Sequence, residues 1–417
     1  MILRARAIWA RKGRIIEDGA LQVRGDKIGK IGHRDEVEPD DGEPCVDLGE
    51  SVVFPAFVNA HCHLDFTGLA GELEPGDSFT AWVKQIVEVK RSLTLEDHES
   101  AWLAGAEMLV RTGCGTVANI ESEPELFARL AGQTPLQVCP FSELIGYLED
   151  YEEAALELAK RELSNNEPMA LVAGLSPHAP YTTTPELLSE LACLADEHDA
   201  PIAIHVAESE DEWRMFSDGE GALFEKMKAL GRHPSDCGRM TPTEHVSRSQ
   251  GLAKRTLVVH ANHLGDGDPI LLAKPGVSVV HCPGSHAWFG HKTFEYERLA
   301  KAGANVCLGT DSLASAGGNG VAAELDMFEE MRLFRKQHQE TTPEDIIEMA
   351  TLNGAIALGL EGALGQLQEG ALANIAVIPL SSPMADVSDI ILNHRGPVGS
   401  LMIAGKRVFS GQNSIAN

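Results

Sequence analysis

Residues 51–63, SVVFPAFVNAHCH, form an almost unbroken apolar run that ends in two histidines one residue apart, His61 and His63. A run without polar alternation suits a strand covered on both faces, as in a parallel sheet wrapped by helices. Alternate residues on a strand point the same way, so both imidazoles can face one point beyond its C-terminal end. The same design recurs along the chain in GTVANI, LQVCPFS, ALVAGLSPH, PIAIHVAE, TLVVH, VSVVHCP and NVCLGTD. Helical stretches such as SFTAWVKQIVEVKRSL, PELLSELACLADEHD and VAAELDMFEEMRLFRKQHQE separate them. Such alternation of buried strands and helices predicts an α/β chain folded as a (β/α)8 barrel, with its chemistry at the strand C-termini.

The two ends read differently. LRARAIWA, ALQVRGDKIGKIG and CVDLG at the start, and NIAVIPL and GSLMIAGKRVFSG at the finish, carry the two-residue alternation and glycine punctuation of short strands. They predict one small β-sandwich domain built from residues 1–53 and 365–417, beside a catalytic barrel over 54–364. The stretch from Trp213 to Arg255 is too long for a plain strand-to-helix connection. Two readings stay open for it: a surface insertion, or a wall over the barrel mouth.

Charge narrows the partners. The 417 residues hold 34 Lys and Arg against 62 Asp and Glu, a net charge of −28. That surface repels phosphate backbones and anionic lipid, so neither a nucleic acid nor a membrane is the expected partner. No run approaches the roughly 18 apolar residues of a spanning helix, and MILRARAIWARKGRIIEDG lacks the apolar core of a secretory leader. The 8 cysteines are scattered without framework spacing, as in the reduced core of a cytoplasmic protein.

Several strands end in groups able to bind a metal. PIAIHVAE ends in His205, with Glu208 three residues on; TLVVH ends in His260; NVCLGTD ends in Asp311, a carboxylate that should not lie buried without a partner. Each alone could be a hydrogen-bonded structural residue, yet together they converge on one face of the barrel. His263 competes with His260 for the strand-end role, and the end of the apolar run favours His260. Cys62 and Cys282 sit nearby without a nucleophile's base. Glu197 and His198 read as a solvated helix face.

The stretches PAFVNAHCHLD, SPHAPYTTTPELL, IAIHVAESEDE, VVHANHL, VVHCPGSH, CLGTDSLAS and ATLNGAIALGL resemble the amidohydrolase superfamily, and within it the mononuclear deaminase and chlorohydrolase branch. The resemblance implies that His61, His63, His205 and Asp311 bind one divalent metal. Zinc is the first expectation, with iron, manganese and cobalt as alternatives. It also implies that Glu208 shuttles protons, that His260 contacts the attacking water or the developing oxyanion, and that His178 contacts substrate. A divalent ion lowers the pKa of its water from about 15.7 to near 7; Asp311 can accept a proton, and Glu208 can protonate first a ring nitrogen and then departing ammonia. Neither LQVCPFS nor ALVAGLSPH offers a lysine to bridge two metals, which favours a one-metal centre.

Some residues depart from the family pattern. Pro55-Ala56 stands for the usual Pro-Gly, Ala373-Asn374 for the usual Ala-Asp, and His286 where the branch often has asparagine. His281, His286 and His291 are either substrate-facing or ordinary loop histidines; Trp288 and Phe289 either stack on a heterocycle or pack the loop. SFTAWVKQIVEVKR and SHAWFGH look most similar to bacterial deaminases of adenine-containing nucleosides, the aminofutalosine and methylthioadenosine/S-adenosylhomocysteine types. The expected substrate is therefore a small heterocycle bound near Glu208, His178, His286 and Trp288, with Arg91 or Lys84 at a carboxylate or ribose edge. Dimers are common in the resembled family, so a homodimer is expected by analogy. Rival functions are a chlorohydrolase or cyclic-amide hydrolase on the same metal, and a binding barrel without catalysis.

Overall fold

A computed structural model of the chain describes all residues except 124, 167, 318–322, 381–385 and 412–417. The N-terminal strands are β1 (Ile2–Arg11), β2 (Arg14–Arg24), β3 (Lys27–His33), β4 (Cys45–Asp47) and β5 (Ser51–Pro55). The barrel strands follow as β6 (Phe57–Cys62), β7 (Cys114–Glu121), β8 (Gln137–Leu144), β9 (Gly174–Pro177), β10 (Ile202–Val206), β11 (Thr256–His260), β12 (Val277–His281) and β13 (Asn305–Leu308). The chain returns through β14 (Ile375–Pro379), β15 (Ser400–Ile403) and β16 (Lys406–Ser410).

The two ends meet in one mixed sheet, ordered β16-β15-β14-β5-β1-β2-β3 with β4 beside β1. The junction is the antiparallel pair β5–β14, where Val53 faces Val377 and Pro55 faces Ile375. Strand alternation then divides the apolar residues between two cores. Val52, Phe54, Ala376 and Ile378 join the large cluster packed among the barrel helices, while Val53, Ile375 and Val377 pack with Leu3, Ile8 and Met402. A single alternating pattern thus both builds this sheet and glues it to the barrel.

In the barrel, β6 to β13 lie in sequence order, each parallel to the next. Val58, Ala60, Ala118, Ile120, Phe141, Val259 and Val280 fill its interior. The seam between first and last strand closes just past the end of β13, where the Asp311 amide donates to the His61 carbonyl at 3.1 Å. Asn59 locks it further: its Oδ1 accepts from the Thr310 amide at 3.1 Å, and its Nδ2 donates to Thr310 Oγ1 at 2.7 Å. Helix Phe79–Lys90 follows β6 and is capped by Ser78, whose side chain accepts from the Ala81 amide. The stretch after Trp213 contains the helices Ala222–Ala229 and Pro242–Arg248. Among the described residues no helix is long and apolar enough to cross a membrane.

Candidate active site

Barrel geometry carries His61, His63, His205, His260 and Asp311 to one point. Their side chains are all buried. The ligand-capable atoms of His61, His63 and Asp311 lie within 4.8 Å of one another, and so do those of His61, His205 and His260. Asp311 Oδ1 stands 3.5 Å from His61 Nε2 and 3.8 Å from His63 Nε2. His205 Nδ1 donates to the His178 carbonyl at 2.7 Å, which fixes the tautomer and leaves Nε2 free to face its neighbours. Glu208 Oε1 lies 3.5 Å from His260 Nε2.

Backbone strain accompanies this convergence. Ala207, His260, Ala261 and Asp311 all have positive φ, at 53°, 74°, 49° and 55°. Residues with a Cβ avoid that region unless the surroundings impose it, and such strain clusters at functional sites. Here the strand ends curl inward, and hydrogen bonds hold the curl. Glu212 accepts from the amides of Ala207 and Glu208, each at 2.9 Å, and Asn262 Nδ2 donates to the Glu208 carbonyl at 3.0 Å.

Burial dominates the electrostatics. It drives His63 down to about 4 and His260 to about 3, and with help from the surrounding imidazoles it lowers His205 well below the ordinary value. These rings are neutral at physiological pH, the form that ligates a metal. Burial also opposes ionisation of Asp311, but His61, His260 and His63 outweigh it and hold the carboxyl well below its usual range. Glu208 goes the other way: burial, then the charges of Asp311 and Glu212, raise it well above the ordinary value. Two carboxyls in one site are thereby set apart, one ionised and one able to donate a proton.

The residues test as a metal centre by their unmet polar atoms. Both ring nitrogens of His61 and Nδ1 of His63 are buried without a hydrogen-bond partner. Buried polar atoms left unpaired are costly, and several on convergent imidazoles beside a carboxylate fit a divalent cation.

A cavity of about 670 Å³ opens above this cluster, lined by His63, His178, His205, Glu208, His260 and Asp311 at its floor. His178 presents Nδ1 to Thr182 Oγ1 at 2.8 Å, with its ring 5.1 Å from that of His205. Two expected substrate contacts lie elsewhere. The short helix Pro283–Trp288 turns His286 inward, where its ring meets His281 at 5.1 Å and His291 at 5.4 Å. Trp288 directs Nε1 to the Gly317 carbonyl at 3.3 Å. Neither lines the cavity, because a helical turn there replaces the open loop expected from sequence. Cys62 and Cys282 are buried thiols whose pKa values burial raises far out of the reactive range.

The sequence reading missed Tyr181, a cavity wall residue, along with Glu212, Asn262 and Asn59. Glu212 had one signal, a second acid four residues after Glu208 on the helix Glu210–Ser217. The long stretch after Trp213 proves to be a wall: Leu223, Lys226, Met227 and Leu230 line the cavity.

Comparison with known proteins agrees with this architecture. The chain is 29% identical over 371 residues to an aminodeoxyfutalosine deaminase of Deinococcus radiodurans, covering 86% of this chain and 85% of the relative. It is 30% identical over 414 residues to a 5-methylthioadenosine/S-adenosylhomocysteine deaminase of Archaeoglobus fulgidus, covering 95% and 90%. A crystal structure of an adenosine deaminase from Xanthomonas campestris with bound zinc superposes with a TM-score of 0.83 at 22% identity, over 99% of this chain and 94% of that one. The amidohydrolase family model matches residues 52–408. With that match spanning the barrel and the strands of the end sheet that flank it, β5 and β14 to β16, the chain belongs to the amidohydrolase family, as a hydrolase of carbon–nitrogen bonds other than peptide bonds.

Proposed function

We propose that this protein is a metal-dependent hydrolytic deaminase of an adenine-containing nucleoside, of the aminofutalosine, methylthioadenosine or S-adenosylhomocysteine type. One observation carries the reading: Glu208, a buried carboxyl whose surroundings oppose its ionisation, shares a cavity floor with His63, His205, His260 and a carboxyl, Asp311, that its surroundings push the opposite way. Hydrolysis of an aromatic C–NH2 bond needs a proton donor at the ring nitrogen and again at the leaving amine, and one acid can serve twice.

His61, His63, His205 and Asp311 are the residues to hold the metal, zinc by preference. When bound, it supplies Lewis acidity and lets water ionise near neutral pH. Asp311, kept ionised by its neighbours, takes the proton of the attacking water at a carboxylate oxygen. Glu208 donates its proton to the ring nitrogen beside the amine-bearing carbon as that carbon becomes tetrahedral. It takes up the proton of the hydroxyl on that carbon and passes it to the amine; the C–N bond breaks, ammonia leaves a ring carbonyl, and the proton on Asp311 returns to Glu208. His260, 3.5 Å from Glu208, hydrogen-bonds the incoming oxygen, and His178 orients the heterocycle. The relatives named as deaminases of such nucleosides support the same substrate class.

The test is ammonia release by zinc-reconstituted protein from aminofutalosine, methylthioadenosine, S-adenosylhomocysteine and adenosine, with guanine and cytosine as controls. Release from an adenine nucleoside, abolished in Glu208→Gln, is the expected result. Silence from every nucleoside with zinc bound would overturn the reading.

A further inference from the structure

A guanidinium lies buried in the stretch after Trp213, among side chains that are otherwise apolar. Arg232, just beyond helix Ala222–Ala229, is 4% exposed. Arginine keeps its charge at any pH a folded protein meets, so burying it demands acceptors. Asp236 supplies two, taking Nη1 at 2.8 Å and Nη2 at 2.7 Å. Burial opposes ionisation of Asp236, but the hydrogen bonds and charge of Arg232 outweigh it and hold the carboxyl below its usual range. With the fork clamped in this way, Nη2 donates once more, to the Pro180 carbonyl at 3.2 Å. The guanidinium also lies over the Phe216 ring, 5.6 Å from its centre.

The bond to Pro180 joins two separate parts of the cavity wall. Pro180 stands in the turn 178–182 after β9, which brings His178 and Tyr181 to the cavity. This turn is tied within itself: the Ala179 amide donates to Thr182 Oγ1 at 3.2 Å, and the Thr182 amide to the Ala179 carbonyl at 3.0 Å. It is tied to the metal-binding strand as well, since the His178 carbonyl accepts the amide and Nδ1 of His205 at 3.0 and 2.7 Å. The partner of the turn is a loop closed at its neck, where the Arg239 amide donates to the Phe216 carbonyl at 2.9 Å. Gly219 and Gly238 meet there so closely that a Cβ on Gly238 would lie 3.0 Å from the Gly219 Cα. Helix Ala222–Ala229 rides in this loop and turns Leu223 and Met227 to the cavity.

Building on the proposed deaminase reading, we infer that Arg232, held by Asp236, is a positioning residue that latches this loop to the turn bearing His178 and so sets the fit of the heterocycle. A buried ion pair is a poor source of stability, because removing both charges from water offsets their attraction; an apolar pair of similar volume often does as well or better. Apolar material is at hand, for Phe216, Leu223, Met227, Tyr181 and Ala179 already form one cluster. Such packing is non-directional. A guanidinium fork fixed on Asp236 aims its remaining donor at one carbonyl, and thereby sets one spacing between loop and turn.

The test separates position from stability. Arg232→Met/Asp236→Leu removes both charges together and leaves neither buried alone, so the urea midpoint should equal or exceed that of the parent. KM, measured for the best substrate among aminofutalosine, methylthioadenosine, S-adenosylhomocysteine and adenosine, should nonetheless rise about tenfold with kcat nearly unchanged. Hydrogen exchange followed by mass spectrometry needs no substrate. In the double variant the segments 178–184 and 222–232 should exchange about tenfold faster, with the barrel strands unaltered. An unchanged KM, or unchanged exchange in both segments, overturns the latch. So does a fall in urea midpoint alongside the rise in KM, which would make the pair a support of the fold alone. If exchange quickens as stated while wild-type protein releases no ammonia from any nucleoside, the latch stands and the deaminase reading falls.

Discussion

Gly309 is the residue on which the barrel seam turns. A Cβ there would lie 2.9 Å from both the Cβ and the carbonyl oxygen of His61, closer than real Cβ atoms approach. His61 cannot retreat freely, since its carbonyl accepts the Asp311 amide at 3.1 Å and Asn59 ties the adjoining backbone to Thr310. Gly309→Ala should therefore displace His61 and Asp311, two of the proposed metal ligands, at once. The expected outcome is lower zinc occupancy by elemental analysis, with far-UV circular dichroism unchanged; full occupancy would show that the seam can yield. Glu208→Gln probes the opposite case, a residue proposed for chemistry and not for ligation. Its loss of proton donation should cost about 10²–10⁴ in kcat, with the zinc retained. Loss of zinc along with activity would instead make Glu208 a ligand.

At the scale of elements, the strand ends were legible because barrel strands declare themselves twice. Their buried faces require long apolar runs, and their C-termini require polar groups, so PIAIHVAE and TLVVH mark both a strand and a site. Nothing in those runs encodes the sharp inward curl at Ala207 or His260. That curl depends on Glu212 and Asn262, whose partners lie on other elements. CPGSHAWFGH likewise reads equally well as a loop, whereas in the structure it forms the short helix Pro283–Trp288 and His286 lies buried beside His281 and His291. Helix Ala222–Ala229 takes its role from the neighbours it packs beside. Leu223 and Met227 join Phe79, Tyr181 and Phe216 in one apolar cluster, with Trp82 against it. If this helix is a binding wall, Met227→Ala should raise KM for the nucleoside several-fold and leave kcat near its original value. A fall in kcat at constant KM would place the helix in positioning the chemistry instead.

Across the whole molecule, burying so many histidines ties stability to pH. Burial lowers His245, His263, His286 and His291 to about 4 each, from an ordinary value of 6.5. Between those limits the unfolded chain binds protons that the folded chain refuses, so stability rises with pH there and is lost as pH falls below 6.5. Buried carboxyls act in the opposite sense. Burial raises Glu121 to about 8 and Glu212 to about 7, so the folded chain keeps protons that the unfolded chain has released, and stability declines from 4.5 upward. In the overlap the histidines prevail by number, and above it only the carboxyls still titrate. Metal-stripped protein should therefore be most resistant to urea near pH 6.5, much weaker toward about pH 5 and slightly weaker toward about pH 8. Zinc adds stability only while its imidazole ligands are unprotonated, so the zinc-loaded protein should show the steeper acid loss. The two curves should separate at neutral pH and merge toward acid. Coincidence of the two at neutral pH would mean that the histidine cluster holds no metal, and a stability that rises toward acid would mean that the buried carboxyls outweigh the histidines.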